Sequence, residues 1–222
     1  MAWFSKRQAI SAMTAVLPRA EILRRGRIAV LDDEPPEMLQ DLRDQGLSVD
    51  HLASTADPRF NRLAEAFYDL LLLDYGGIGG KFGEDEGLDV LKYLKRVNPG
   101  FRVVAFTART FDASKGDFFR LCDGIIKKDA GIRETLEQVE FHLGTVLTPA
   151  HQFQALTSAL GATADQQAQL EKLLSRAIAG GTGRDKVIAA AKKFGLAGSE
   201  KLLETLVTKA IELGAVAVTA AS

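Results

Sequence analysis

The sequence predicts an α/β fold: a doubly wound, five-stranded parallel sheet followed by a small all-α segment. Three observations carry this. Short apolar runs alternate with stretches of helical period from residue 27 to 147, the pattern of strand–helix–strand units. The run Leu70-Leu71-Leu72-Leu73 is apolar at every position, as a strand buried on both faces reads. Strand signals stop at Thr148-Pro149, and only helical periodicity follows. A chain of 222 residues, 46% hydrophobic and 26% charged, is long enough to bury a real core. The formal charge of −1 gives no general pull toward nucleic acid or anionic lipid. A single cysteine, Cys122, rules out an internal disulfide and a cysteine-rich zinc site, and is expected to fill core space.

Residues 1–26 form an N-terminal extension, expected to be helical. Lys6, Arg7, Arg19, Arg24 and Arg25 outnumber Glu21, so a basic amphipathic anchor is one reading. The favoured one is a helix packing Trp3, Ile10, Met13 and Leu17 on its own protein and ending at Pro18. The apolar stretch Ala9 to Leu17 is interrupted by Ser11 and Thr14, a poor signal peptide. No run of about 18 apolar residues occurs, so a cytoplasmic protein without a membrane span is expected.

From there the elements come in turn. Arg27 to Leu31 is the first strand, and Pro35-Pro36 suits the start of a helix carrying Met38, Leu39 and Leu42. Leu47 to Leu52 is a short strand; Pro58 to Phe67 reads as a helix; Asp69 to Leu73 is the third strand. Gly76 to Gly87 is a loop in which every second residue, on average, is glycine. Leu88 to Val97 is a helix, Asn98-Pro99-Gly100 a turn, and Arg102 to Thr107 the fourth strand. A short helix, Asp112 to Cys122, precedes the fifth strand, Gly124 to Lys128, and a helix over Ile132 to Leu147. Beyond Thr148, helices are expected near 150–160, 165–179, 184–194 and 199–214. Thr163 with Gln166, and Ser199 before an apolar run, are good helix starts.

In a parallel sheet all carboxyl ends lie on one edge, where open α/β sheets place their ligand sites. Four strand ends then bring Asp32-Asp33, Asp74, Thr107 and Lys128 to one rim. Close like charges are costly unless a cation joins them, and hard oxygen donors suit Mg²⁺. A carboxylate can act as nucleophile and form an acyl phosphate, with an ammonium and a hydroxyl holding the phosphoryl oxygens.

Residues 27–147 resemble a response-regulator receiver domain of two-component signalling. The likeness rests on Val-Leu-Asp32-Asp33-Glu34-Pro, Leu-Leu-Asp74, Ala-Phe-Thr107-Ala108-Arg and Asp123-Gly-Ile-Ile-Lys-Lys128-Asp129, in order and spacing. The resemblance implies a flavodoxin-like sheet. It implies that Asp74 accepts a phosphoryl group from a histidine kinase or phosphotransfer protein. Mg²⁺ would be bound by Asp32, Asp33, Asp74 and the carbonyl of Gly76; Lys128 and Thr107 would bind the phosphoryl group. Lys127 is expected to point away, because side chains alternate along a strand. The sequence also departs from the family pattern. Ile125 stands where such receivers usually carry an aromatic residue that turns with the switch, and the loop after Asp74 is longer than usual.

Each residue also has a bland reading: Asp32-Asp33 as a helix cap, Thr107 as a strand-end threonine, Lys128 as a solvated charge. Glu84, Asp85 and Glu86 are expected to be solvated, with tuning of access to the pocket as the alternative, and His142 and His151 lack the surroundings of a phosphorylated histidine. The glycine loop lacks the Gly-Lys-Ser/Thr of a phosphate-binding loop. Residues 148–222 hold eight Lys and Arg against six Asp and Glu, too weak an excess for a DNA-reading face. A protein-interaction or dimerisation segment is the expectation there. An RNA-binding helical regulator, a receiver that works without phosphate, and a Mg²⁺-dependent phosphohydrolase with an aspartyl phosphate are the alternatives. The phosphohydrolase usually needs an acid two residues beyond its nucleophile, where this chain has Gly76.

Overall fold

The computed structural model describes residues 9–79, 81–108, 115–180, 183–195 and 199–220. Trp3, Phe4, Lys6, Arg7, Arg109 and the expected helix start at Asp112 lie outside them. Five parallel strands form one sheet: β1 (Arg27–Leu31), β2 (Ser48–Leu52), β3 (Leu70–Leu73), β4 (Arg102–Thr107) and β5 (Ile125–Lys127). Their spatial order is β2-β1-β3-β4-β5, with Val30 beside Leu72 and Leu72 beside Val104. This is the flavodoxin-like doubly wound order.

The strand period of two sorts the core into two faces. Ile28, Val30, Leu70, Leu72, Val104 and Phe106 pack on one side against α1 (Arg19–Arg25), α2 (Met38–Asp44) and α6 (Ile132–Val146). Ala29, Leu31, Leu71, Leu73, Val103 and Ala105 pack on the other against α3 (Asn61–Ala64), α4 (Gly87–Val97) and α5 (Gly116–Leu121). β3, wholly buried, is the central strand that four successive leucines require.

Two local expectations change. Among the described residues before Pro18 there is a 3₁₀ turn, Ile10–Ala12, and the helix begins after the proline instead of ending there. Pro18 lacks an N–H that a first turn would leave unpaired, while its carbonyl accepts from Glu21 and Ile22. The helix expected over 58–67 is reduced to α3, because Ala66 adopts a left-handed φ of 55° and turns the chain into β3.

The C-terminal segment is helical, as read: α7 (Pro149–Ala159), α8 (Ala164–Gly180), α9 (Arg184–Ala191) and α10 (Glu200–Ala220). Three starts are capped, two of them, at Thr163 and Ser199, as the sequence suggests. Thr148 accepts from the His151 N–H with Pro149 in the first turn, and Ser199 accepts from Leu202. Thr163 and Gln166 bond reciprocally, a capping box. These helices share their own core, Leu156, Leu170, Leu174, Val187, Leu203, Leu206 and Val207, and Ile10 of the N-terminal turn joins it.

The helical segment docks on the amino ends of the strands. Lys209 of α10 donates to Asp69 Oδ1 and to the Ala66 carbonyl, both at 2.6 Å, just before β3. His151 meets the Gly100 carbonyl at 3.0 Å, just before β4. Gly100 lies so close to α7 that a Cβ there would come within 2.4 Å of the Ala155 Cβ. No helix among the described residues is long and apolar enough to cross a membrane.

Candidate functional site

The opposite rim, at the carboxyl ends, carries the acids. Three residues lie one step beyond a strand and are pinned by a continuation of the ladder. The Asp32 N–H donates to Leu52, the Asp74 N–H to Leu31 at 2.9 Å, and the Lys128 N–H to Thr107 at 2.9 Å. Positions fixed this way inherit the rigidity of the sheet. That is why residues scattered over nearly a hundred positions of sequence arrive at one point.

Carboxylate oxygens of Asp32, Asp33 and Asp74 lie within 4.8 Å of one another. Asp32 is fully buried, Asp74 partly, and Asp33 faces solvent. Lys128 Nζ sits between two of them, 2.6 Å from Asp32 Oδ2 and 3.1 Å from Asp74 Oδ2. The other Asp74 oxygen accepts from the Tyr75 N–H at 2.8 Å. Burial pushes the Asp74 carboxyl above its ordinary range, although Lys128 and the Tyr75 N–H pull the other way. Burial alone would lower Lys128, but its bonds to Asp32 and Asp74 outweigh that and hold the ammonium charged.

The glycine loop closes over this rim. Gly77 has φ +75°, and a Cβ there would fall 2.3 Å from Asp33 Oδ2, so only glycine lets the Asp33 carboxylate lie against the chain. Gly76 follows Asp74 by two residues, in the position expected to offer a carbonyl. Thr107 is buried at the end of β4, the strand beside β3, with the β5 edge on its other side. Lys127 is exposed, as strand alternation requires. Ile125 is 49% exposed on β5, near the outward-facing Leu121 and Ile132 in sequence. His142 accepts from Arg102 at 3.1 Å and is buried near the amino rim, away from the acids. The Cys122 thiol is pushed up to about 12, first by burial and then by Asp123.

Glu86 departs from its expected solvated state. It has φ 35°, unusual for a residue with a side chain, and its Oε2 is buried with no hydrogen-bond partner among the described residues. The sequence holds little signal for this, because the geometry comes from the loop's return onto Asp74 and Tyr75.

Three carboxylates against one ammonium leave a local excess of two negative charges, which a divalent cation would balance. The donors are all hard oxygens, and sulfur and imidazole are absent from the cluster. That set fits Mg²⁺ better than a softer metal.

No family model matches the sequence, and no curated protein does. Solved structures do match over about half of the chain. A CheY-like response regulator receiver domain protein from Methanospirillum hungatei JF-1 is 22% identical, over 53% of this chain and 93% of that one, with a TM-score of 0.42. The receiver domain of NtrX from Brucella abortus is 22% identical, over 53% and 98%, with a TM-score of 0.46. A two-component response regulator from Clostridium difficile is 18% identical, over 53% and 95%, with a TM-score of 0.43. The fold itself follows from the sheet order and register described above.

Proposed function

We propose that residues 27–147 act as a receiver that accepts a phosphoryl group on Asp74, and that residues 148–222 carry the response to a partner. The observation that supports it most is Lys128 bridging Asp32 and Asp74 at the end of the central strands. In this reading an Asp74 oxygen attacks the phosphorus of a phosphohistidine on a kinase or phosphotransfer protein. The new P–O bond forms as the P–N bond breaks, and the imidazole nitrogen takes the electron pair. In this reading Lys128 would follow the charge from the free carboxylate onto the phosphoryl oxygens, and Thr107 would turn its hydroxyl toward them. Asp32, Asp33, Asp74 and the Gly76 carbonyl would hold Mg²⁺, which supplies neutralisation of the oxygens brought together there.

The helical segment sits at the other end of the strands. β1 to β4 separate the two rims by four to six residues, roughly 13–20 Å at strand rise. A signal from Asp74 would therefore pass through the sheet and the packed helices to Lys209, Ala155 and His151. The segment's sequence carries an excess of only two positive charges and no nucleotide-binding motif, which favours a protein partner or a second copy over nucleic acid.

Incubation with acetyl phosphate and Mg²⁺ tests the reading. One phosphoryl group per chain, lost with EDTA, is the expected result. Many turnovers on a phosphomonoester would replace the switch with a hydrolase, and no labelling at all would refute phosphoryl acceptance.

A further inference from the structure

The loop after Asp74 brings in an acid that the strand ends do not supply. Gly87 lies so close to the acceptor that a Cβ there would fall 2.6 Å from the Asp74 carbonyl and 2.7 Å from that of Tyr75. The Gly87 N–H donates to the Tyr75 carbonyl at 2.9 Å. The loop is therefore folded back and fastened beside the acceptor. Glu86, immediately before this contact, takes the strained pair φ 35°, ψ −97°. Its Oε2 lies 3.7 Å from the point where a Cβ on Gly76 would stand. Gly76 leaves that space open, and the Glu86 carboxylate occupies its border.

A structural explanation for Glu86 is available and fails. It stands at the N-cap of α4, where an acid could bond the free N–H groups of the first turn. It makes no such bond. A buried carboxylate oxygen without a partner, on a strained backbone, calls for a cation or an ordered water beside it.

We propose that Glu86 is a further acidic partner of the divalent cation at this rim, reaching it across the gap left by the missing side chain of Gly76. This deepens the receiver reading and rests on it. Glu86 is a positioning group: its oxygens are not among those of Asp32, Asp33 and Asp74 that lie within 4.8 Å of one another, so it adds a fourth negative charge and an acceptor for one of the cation's waters rather than a direct ligand. The long glycine loop then has a task, which is to carry this one carboxylate back to the site.

The test is calorimetric titration of the full chain with MgCl₂, comparing the unaltered protein with Glu86→Gln, Glu84→Gln and Asp33→Asn. Glu86→Gln should weaken Mg²⁺ binding about tenfold, the usual scale for a supporting group around a metal. Glu84→Gln, an exposed acid of the same loop, should change it less than twofold, which separates a specific contact from a diffuse field. Asp33→Asn should abolish binding. If Asp33→Asn abolishes binding while Glu86→Gln matches the unaltered chain, the Glu86 proposal is wrong and the receiver reading stands. If Asp33→Asn binds Mg²⁺ normally, the metal site itself is misplaced. Equal losses in Glu86→Gln and Glu84→Gln would also overturn the proposal. Thermal melting without metal keeps folding defects apart from these outcomes: Glu86→Gln should melt no lower than the unaltered chain, because it keeps the side chain's shape and removes one negative charge from an acidic rim.

Discussion

Replacing Lys209 with methionine would expose how firmly the helical segment is tied to the sheet. The Asp69 side chain is 1% exposed, and its two oxygens have separate partners. Oδ1 takes the Lys209 ammonium at 2.6 Å and Oδ2 the Arg27 N–H at 2.9 Å. Methionine keeps most of the apolar stem but leaves a buried carboxylate with one neutral donor, and leaves the Ala66 carbonyl without its bond. Breaking a buried pair from one side costs about 3–5 kcal/mol. The retained N–H and the 17% exposure of Lys209 argue for the lower end, about 3 kcal/mol. For a chain of this size that is a fall in melting temperature of about 6–12 °C. Calorimetry of Lys209→Met, Asp69→Asn and the double variant checks it. The double variant should recover at least about 1 kcal/mol relative to the sum of the singles. A single-variant loss under about 0.5 kcal/mol, with additive singles, would mean that the junction does not depend on this pair.

Three further outcomes follow from the same contacts. Gly100→Ala places a methyl against Ala155 of α7 and should cost about 1–3 kcal/mol by overpacking; an unchanged melting temperature would show that α7 is free to move. Lys128→Met strands the fully buried Asp32, so it should lower stability in EDTA by about 3 kcal/mol. Mg²⁺ should stabilise this variant more than the unaltered chain, and equal stabilisation would contradict the role given to Lys128. Burial lowers the pKa values of His142 and His151, with the Arg102 charge acting in the same direction. Both then bind protons more readily when unfolded, so stability is complete above about pH 6.5 and falls as pH drops below it. Melting curves from pH 7.5 to 5 should show that fall, and His142→Gln with His151→Gln should flatten it.

The sheet was legible because its physics is local. The short apolar runs of β1 and β4, buried at every position but the first, and the four leucines of β3 leave little choice of structure, and the parallel order then gathers Asp32, Asp33, Asp74 and Lys128. The cap residues Thr163 and Ser199 were readable for the same reason. Pro18 was misread because a proline can close one helix or open the next, and packing of Ile22 and Leu17 beneath the sheet decides between them. Phe60, Leu63, Ala64 and Phe67 suggested a long helix, but the positive φ of Ala66 is a tertiary demand that no periodicity reports. Glu86 could not be placed from sequence. An acid in a glycine-rich loop reads as solvated until the loop's path is known, and Gly76 and Gly87 acquire meaning only once they are seen against Asp74.

The chemistry assigned to Asp74 has a direct test. The protein is labelled with acetyl phosphate and Mg²⁺, reduced at once with borohydride, digested and sequenced by mass spectrometry. An acyl phosphate on Asp74 is reduced to a homoserine at that position, and Asp74→Asn should give no reduced residue anywhere. Homoserine at Asp32, Asp33 or another acid, or a phosphate that survives on His142 or His151, would contradict the account.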